Sequence, residues 1–160
     1  MYFVSLTKIC LKPVGFVQTE AVGKEVNTKA LISKIVFDET YLEALDGIED
    51  FSHLFVLFWL HETTEKDPKK LKTHPCGRDD MPLVGLFATC TPNRPNPIGL
   101  TRVKLLNVQR NVITVQGLDA FNGTPVLDIK PFDHWDKTAD FKIADWWKKI
   151  VDERKNKKSV

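Results

Sequence analysis

Residues 51–61 constrain this chain more than any other stretch. Phe51, Leu54, Phe55, Val56, Leu57, Phe58, Trp59 and Leu60 form an almost unbroken apolar run. Aromatic and branched side chains at that density favour a strand, and a strand without polar alternation is expected to be buried on both faces. The run is too short to cross a bilayer. It therefore belongs inside a sheet, and the rest of the chain must supply its neighbours.

The neighbours are readable. Residues 9–17 predict a first strand, with Pro13 and Gly15 marking an edge or a bulge. Residues 30–37, 83–89, 100–108, 112–118 and 125–129 predict further strands. Gln109, Arg110 and Asn111 join two of them, a bulge is expected among Val103, Leu105 and Val108, and Asn122-Gly123 is a turn signal. Asp38 is placed to cap a short helix with Tyr41, Leu42 and Leu45 on its apolar face, and Gly47 ends it. Residues 62–80 are charged and turn-rich, which predicts a long surface excursion. Ile143, Trp147 and Ile150 have helical spacing and predict a helix over residues 140–152. Seven or so strands with few helices predict a mainly β fold, a small closed or nearly closed β-barrel with short helices and a C-terminal helix. One domain is expected over residues 1–152, followed by a basic, flexible tail at 153–160.

Composition narrows the function classes. Hydrophobic residues make up 42% and charged residues 28% of the 160, which excludes disorder over the whole length. The net charge of +2 is far from that of a dedicated non-specific nucleic-acid binder, so an RNA partner requires basic residues gathered on one surface. Two stretches are basic: Lys66, Lys69, Lys70, Lys72 and Arg78, and then Arg154, Lys155, Lys157 and Lys158. Cys10, Cys76 and Cys90 lie far apart, which predicts free thiols in a reducing compartment. The apolar start is interrupted by Lys8 and lacks the features of a signal peptide, so a soluble intracellular protein is expected. His53, His61, His74 and His134 match no zinc spacing, and no metal is expected. Neither a Gly-rich dinucleotide loop nor a P-loop is present, so a nucleotide cofactor has to bind in another way.

Two segments carry the chemistry. In residues 85–101, Pro92, Pro95 and Pro97 stiffen the chain and leave carbonyls without ladder partners. Those carbonyls and Asn96 suit an amino group of a ligand, and Arg94 suits a carboxylate or phosphate. A rigid barrel corner with a salt-bridged arginine fits the same residues. In residues 117–132, Asp128 and Lys130 are two apart and face one side of a strand, with Asp119 nearby. A carboxylate beside an ammonium suits a zwitterion, and equally a structural ion pair.

Together the two segments, with residues 47–54 and the His74-Pro75-Cys76-Gly77 block, resemble the signature of the TrmO family, also described as TsaA-like and VirR-like. The resemblance runs over residues 13–132. It implies a small β-barrel methyltransferase that uses S-adenosylmethionine, works in the cytoplasm and forms a homodimer. The implied reaction is methylation of the exocyclic nitrogen of threonylcarbamoyl-adenosine beside the anticodon of a tRNA, with threonine tRNA as the usual substrate. Position by position, the cofactor cleft is implied at Phe87, Ala88, Thr89, Arg94, Pro95, Asn96, Pro97 and Ile98, and at Leu118, Asp119, Asp128 and Lys130. Asp119 or Asp128 is a candidate proton acceptor, a loop carbonyl that polarises the nitrogen is the alternative, and Arg94 and Lys130 supply positive charge. With tRNA implied, the basic stretches become phosphate contacts, and Trp135, Trp146 and Trp147 become stacking platforms for unpaired bases or packing residues. Three positions depart from the family pattern: Cys90 replaces an arginine, Phe132 a tyrosine and Asn122 an aspartate. The first loses a planar donor group and the second a hydroxyl. Two other readings fit these departures: a protein that binds S-adenosylmethionine or RNA without catalysis, and a methyltransferase with another substrate.

Overall fold

The computed structural model describes residues 9–63 and 71–156. The apolar start before residue 9, Lys66, Lys69 and Lys70 of the first basic stretch, and Lys157 and Lys158 of the second lie outside the described residues. The strands are β1 (Gly15–Gln18), β2 (Ile32–Phe37), β3 (His53–Trp59), β4 (Lys72–Thr73), β5 (Val84–Gly85), β6 (Ile98–Gln109), β7 (Val112–Gln116) and β8 (Pro125–Pro131), followed by the helix α1 (Asp145–Asn156). The chain divides into two compact units: residues 1–63 with 96–133, and residues 64–95 with 134–160. Among the described residues, no helix is long and apolar enough to cross a membrane.

The first unit is a closed antiparallel barrel in the order β1-β2-β7-β6-β3-β8. Closure pairs every strand on both sides and leaves no open edge. The apolar run forms β3, paired with β6 on one side and β8 on the other. Its burial alternates. Leu54, Val56 and Phe58 are buried, whereas His53, Phe55, Leu57 and Trp59 are half-buried. The expectation of burial on both faces is therefore corrected: a closed barrel has one inside, and the outer face of β3 keeps apolar side chains partly open.

Val17, Ile35, Val103, Ile113, Val115 and Val126 complete the interior with these β3 residues. Each such side chain contributes about 1.5–3 kcal/mol on burial. Two glycines make the packing possible. A Cβ at Gly15 would lie 2.5 Å from the Val36 carbonyl oxygen, so β1 and β2 approach too closely there for any side chain. A Cβ at Gly99 would lie 2.3 Å from the ring of Phe58, which is opposite it in the β3–β6 register.

Several boundaries move for local reasons. The first strand starts only at Gly15, after Pro13, which has no amide to donate. Residues 83–89 give just the two-residue β5, because Thr89 closes a turn instead. Its amide and its hydroxyl both donate to the Leu86 carbonyl, at 3.0 and 2.9 Å. The bulge falls between Leu105 and Asn107. Asp38 accepts from the Thr40 amide at 2.9 Å and caps a 3₁₀ helix over Glu39–Leu45. The C-terminal helix starts at Asp145 and not at 140, and it runs on through residues 153–156.

Ser33 of β2 is 2% exposed, and among the described residues its hydroxyl finds no hydrogen-bond partner. A buried unsatisfied hydroxyl costs about 1–3 kcal/mol. Ser33→Ala is therefore expected to stabilise the barrel by about 1 kcal/mol. A lowered denaturation midpoint for this variant would show that the hydroxyl is satisfied.

The second unit contains the β4–β5 pair, a turn over Pro75–Gly77, and α1. Arg78 ties the segment after that turn to the helix. Its guanidinium donates to Asp80 at 2.9 and 2.6 Å and to both carboxylate oxygens of Glu153, and Lys149 of α1 reaches Asp80 at 3.3 Å. The hydrogen bonds from Arg78 hold the carboxyls of Asp80 and Glu153 below their ordinary values, and the same bonds push Arg78 up. A carboxyl lowered in the fold stabilises it fully above the ordinary carboxylate range, about pH 4, and loses that contribution as pH falls through and below it. Lowering the pH from neutral to 3 is thus expected to reduce the protection of the α1 amides, measured against their intrinsic exchange rates at each pH. Arg78→Ala should remove most of that pH dependence, and an unchanged profile in this variant would assign it elsewhere.

Candidate functional site

In the barrel, the link between β7 and β8 positions Asp119. Gly117 adopts φ +88°, which lets the chain turn out of β7 while its amide bonds the Leu31 carbonyl at 2.8 Å. Leu118 and Ala120 are buried in the core, and Asp119 between them is exposed. The Thr101 hydroxyl on β6 donates to Asp119 Oδ1. Among the described residues, Oδ2 has no hydrogen-bond partner. Asp119 and Thr101 line an open cleft of about 320 Å³ together with Lys29, His53, Arg102 and Lys104.

The second pair lies on β8. Lys130 Nζ is 2.8 Å from Asp128 Oδ2, and Asp128 Oδ1 accepts from the Ile129 amide at 2.9 Å. Both side chains sit outside the barrel, opposite Leu57 and Phe55 of β3. The Phe132 ring, just beyond β8, meets Phe55 edge-on at 5.5 Å, and the Arg102 guanidinium lies 4.9 Å from its centroid. The aromatic face survives the loss of the tyrosine hydroxyl.

The proline-rich loop is less open than its sequence suggests. The Pro97 carbonyl accepts from the Leu60 amide and the Asn96 carbonyl from the Ile98 amide, both at 2.8 Å. These two carbonyls are therefore engaged within the barrel. His61 meets the Thr124 hydroxyl at 3.2 Å. The side chain of Leu118 is fully buried, so only its backbone remains for a ligand.

The second unit holds the earlier part of the loop. Arg94 Nη1 donates to the Thr89 carbonyl at 2.8 Å and to the Thr91 carbonyl at 3.4 Å. The guanidinium thus ties its own loop through Nη1. It also lies 5.8 Å from the ring centroid of Phe87, a residue that is 80% exposed. Ala88 and Thr89 belong to the same turn, and Cys90 is exposed. Trp146 and Trp147 pack edge to face at 5.9 Å, while Trp135 is exposed.

Sequence reasoning missed Thr101, Lys29, Arg102 and Lys104. The phase of β6 was the available signal. Gly99 and Val103 point inward, so Thr101 is a hydroxyl on the interior side, and Arg102 and Lys104 share the outside.

The small closed barrel carries a carboxylate anchored by Thr101 and a carboxylate–ammonium pair on its surface. Residues 16–137 match the tRNA-methyltransferase O N-terminal domain, and the chain belongs to that family. It is 38% identical over 128 residues to an S-adenosyl-L-methionine-binding protein of Archaeoglobus fulgidus, covering 76% of this chain and 88% of that protein. It is 40% identical over 101 residues to the tRNA (adenine(37)-N6)-methyltransferase of Rattus norvegicus, covering 63% of this chain and 23% of that one. The crystal structure of TrmO from Pseudomonas aeruginosa matches with a TM-score of 0.70 at 28% identity, covering 86% of this chain. The present chain spans 62% of the length of that solved chain.

Proposed function

We propose that the chain is an S-adenosylmethionine-dependent tRNA methyltransferase that methylates the exocyclic nitrogen of threonylcarbamoyl-adenosine beside the anticodon, with threonine tRNA as its substrate. The carrying observation is the unequal state of two carboxylates. Asp128 is compensated by the Lys130 ammonium and by a backbone amide, whereas Asp119 is held at one oxygen by a neutral hydroxyl.

The residues present fit the cofactor. When bound, S-adenosylmethionine supplies an electrophilic methyl group on a sulfonium. In the barrel, Asp128 and Lys130 offer opposite charges 2.8 Å apart, which match the ammonium and carboxylate of an amino-acid moiety. The backbone of Leu118 and the Asn96, Pro97 and Ile98 run are proposed as further barrel contacts. In the second unit, taken by itself, the exposed Phe87 side chain offers an aromatic face, with Ala88, Thr89 and Pro95 beside it in sequence and Arg94 tying the loop through Nη1. Asp119 takes the proton of the target nitrogen at its free oxygen while Thr101 fixes the other. Orientation of the two reactants supplies much of the remaining acceleration.

A homodimer is part of the same proposal. Leu100 and Ile98 on the outside of β6 are exposed and lie opposite Leu57 and Trp59 of β3, an apolar outer face suited to a second copy. Three exposed free thiols suit a cytoplasmic location. Titration calorimetry with S-adenosylmethionine, followed by methyl transfer to threonylcarbamoylated tRNA, tests the whole. Binding with transfer is expected. Binding without transfer favours the non-catalytic reading, which the missing Phe132 hydroxyl supports, and no binding overturns the proposal.

A further inference from the structure

We propose that the cleft beside Asp119 is the seat of the RNA backbone, with Lys29, Arg102 and Lys104 as its phosphate contacts. The inference rests on the tRNA reading above and adds the surface that engages the nucleic acid. The three cations come from positions that no sequence run joins. Lys29 precedes β2, and its carbonyl lies 3.3 Å from where a Gly117 side chain would start. Arg102 and Lys104 share the outer face of β6, about 7 Å apart at two residues of strand rise. Lys104 is paired with Gln116 of β7 and with His53 of β3, so the barrel register itself gathers these groups around one opening.

Charge and order point to a polyanion. Asp119 is the only acid in the lining, and one of its oxygens is taken by Thr101. Among the described residues, none of the three cations makes an ion pair, whereas Lys130 and Arg110 elsewhere on the barrel are paired with Asp128 and Glu39. Three unpaired cations around one exposed cleft attract spaced negative charges, and phosphodiesters supply them. Arg102 is stacked on Phe132 at 4.9 Å, so its planar donor fork is held in advance of binding. The cleft is open to solvent, which suits a strand laid across it and not an enclosed ion.

The test uses the whole chain with threonine tRNA at about 50–200 mM salt, together with calorimetry for S-adenosylmethionine. The triple variant K29Q/R102Q/K104Q is expected to lose about tenfold or more in tRNA affinity and to lower the slope of log affinity against log salt by about two to three. Affinity for S-adenosylmethionine should be unchanged, which also reports an intact fold. Each single variant, such as Lys104→Gln, should lower the slope by about one, so the result does not depend on the triple variant folding. The charge-retaining triple K29R/R102K/K104R should keep the slope. A neutral triple that binds tRNA with the wild-type slope overturns the cleft alone. A wild-type chain that binds S-adenosylmethionine but no tRNA overturns the tRNA reading, and the cleft with it.

Discussion

Asp119→Asn is expected to lower kcat for methyl transfer by about 10²–10⁴-fold, the usual contribution of a positioned proton acceptor. The amide is nearly isosteric and keeps an oxygen for the Thr101 hydroxyl, so the local geometry should survive. What it loses is the ability to take a proton. Affinity for S-adenosylmethionine should therefore fall far less than kcat, because the amide keeps the shape of the side chain and its bond to Thr101. Asp128→Asn should behave in the opposite way. Its carboxylate is already neutralised by Lys130 at 2.8 Å, and its loss should weaken cofactor binding more than it slows the chemical step. Thr101→Val removes the anchor without removing the acceptor. It should give an intermediate loss in kcat, whereas a threonine with no part in orienting the carboxylate would leave kcat in place. Rapid-quench measurement of a single turnover separates these cases. An Asp119→Asn variant with wild-type turnover would exclude this carboxylate as the acceptor.

The class of fold was legible because strands, turns and caps are local. Asn122-Gly123, the Asp38 cap and the pair of strands around Arg110 depend on neighbours within a few residues. The faces were harder. Residues 51–61 contain no polar alternation, so nothing in them distinguishes a strand covered on both sides from a barrel strand whose outer side keeps half-buried Phe55 and Leu57. Residues 83–89 are apolar enough for a strand, but their ladder partner is just Lys72–Thr73, and the Thr89 turn prevails. At the site, the signature runs mark Asp119, Asp128 and Lys130, yet their partners differ in range. Lys130 is two residues from Asp128 and predictable from strand period. Thr101 is eighteen residues from Asp119 and meets it only through the closed register. Lys29, Arg102 and Lys104 form no run at all, so a charge scan finds the basic stretches near residue 70 and after 153 and passes over them.

Phe58→Ala is expected to destabilise the barrel by about 3–5 kcal/mol, the cost of removing a large buried ring and leaving its space unfilled. Phe58 is 2% exposed and sits on the central strand of the apolar run. Its room is provided by one residue, Gly99, on the facing strand. Gly99→Ala would put a methyl carbon 2.3 Å from the ring, well inside any real contact, and should cost about 1–3 kcal/mol through overpacking. The two effects are not independent. Once Phe58 is truncated, the methyl at residue 99 has space and partly fills the cavity. The double variant should therefore be no less stable than Phe58→Ala alone, which gives a coupling of about 1–3 kcal/mol between the sites. Amide exchange in β7, which does not contain either residue, reads the stability of the barrel separately from that of the second unit. Additive costs would mean that the ring moves aside freely, and that the glycine opposite it answers to a different constraint. Coupled costs would mean that the apolar run holds the barrel together through one ring that only a missing side chain allows inside.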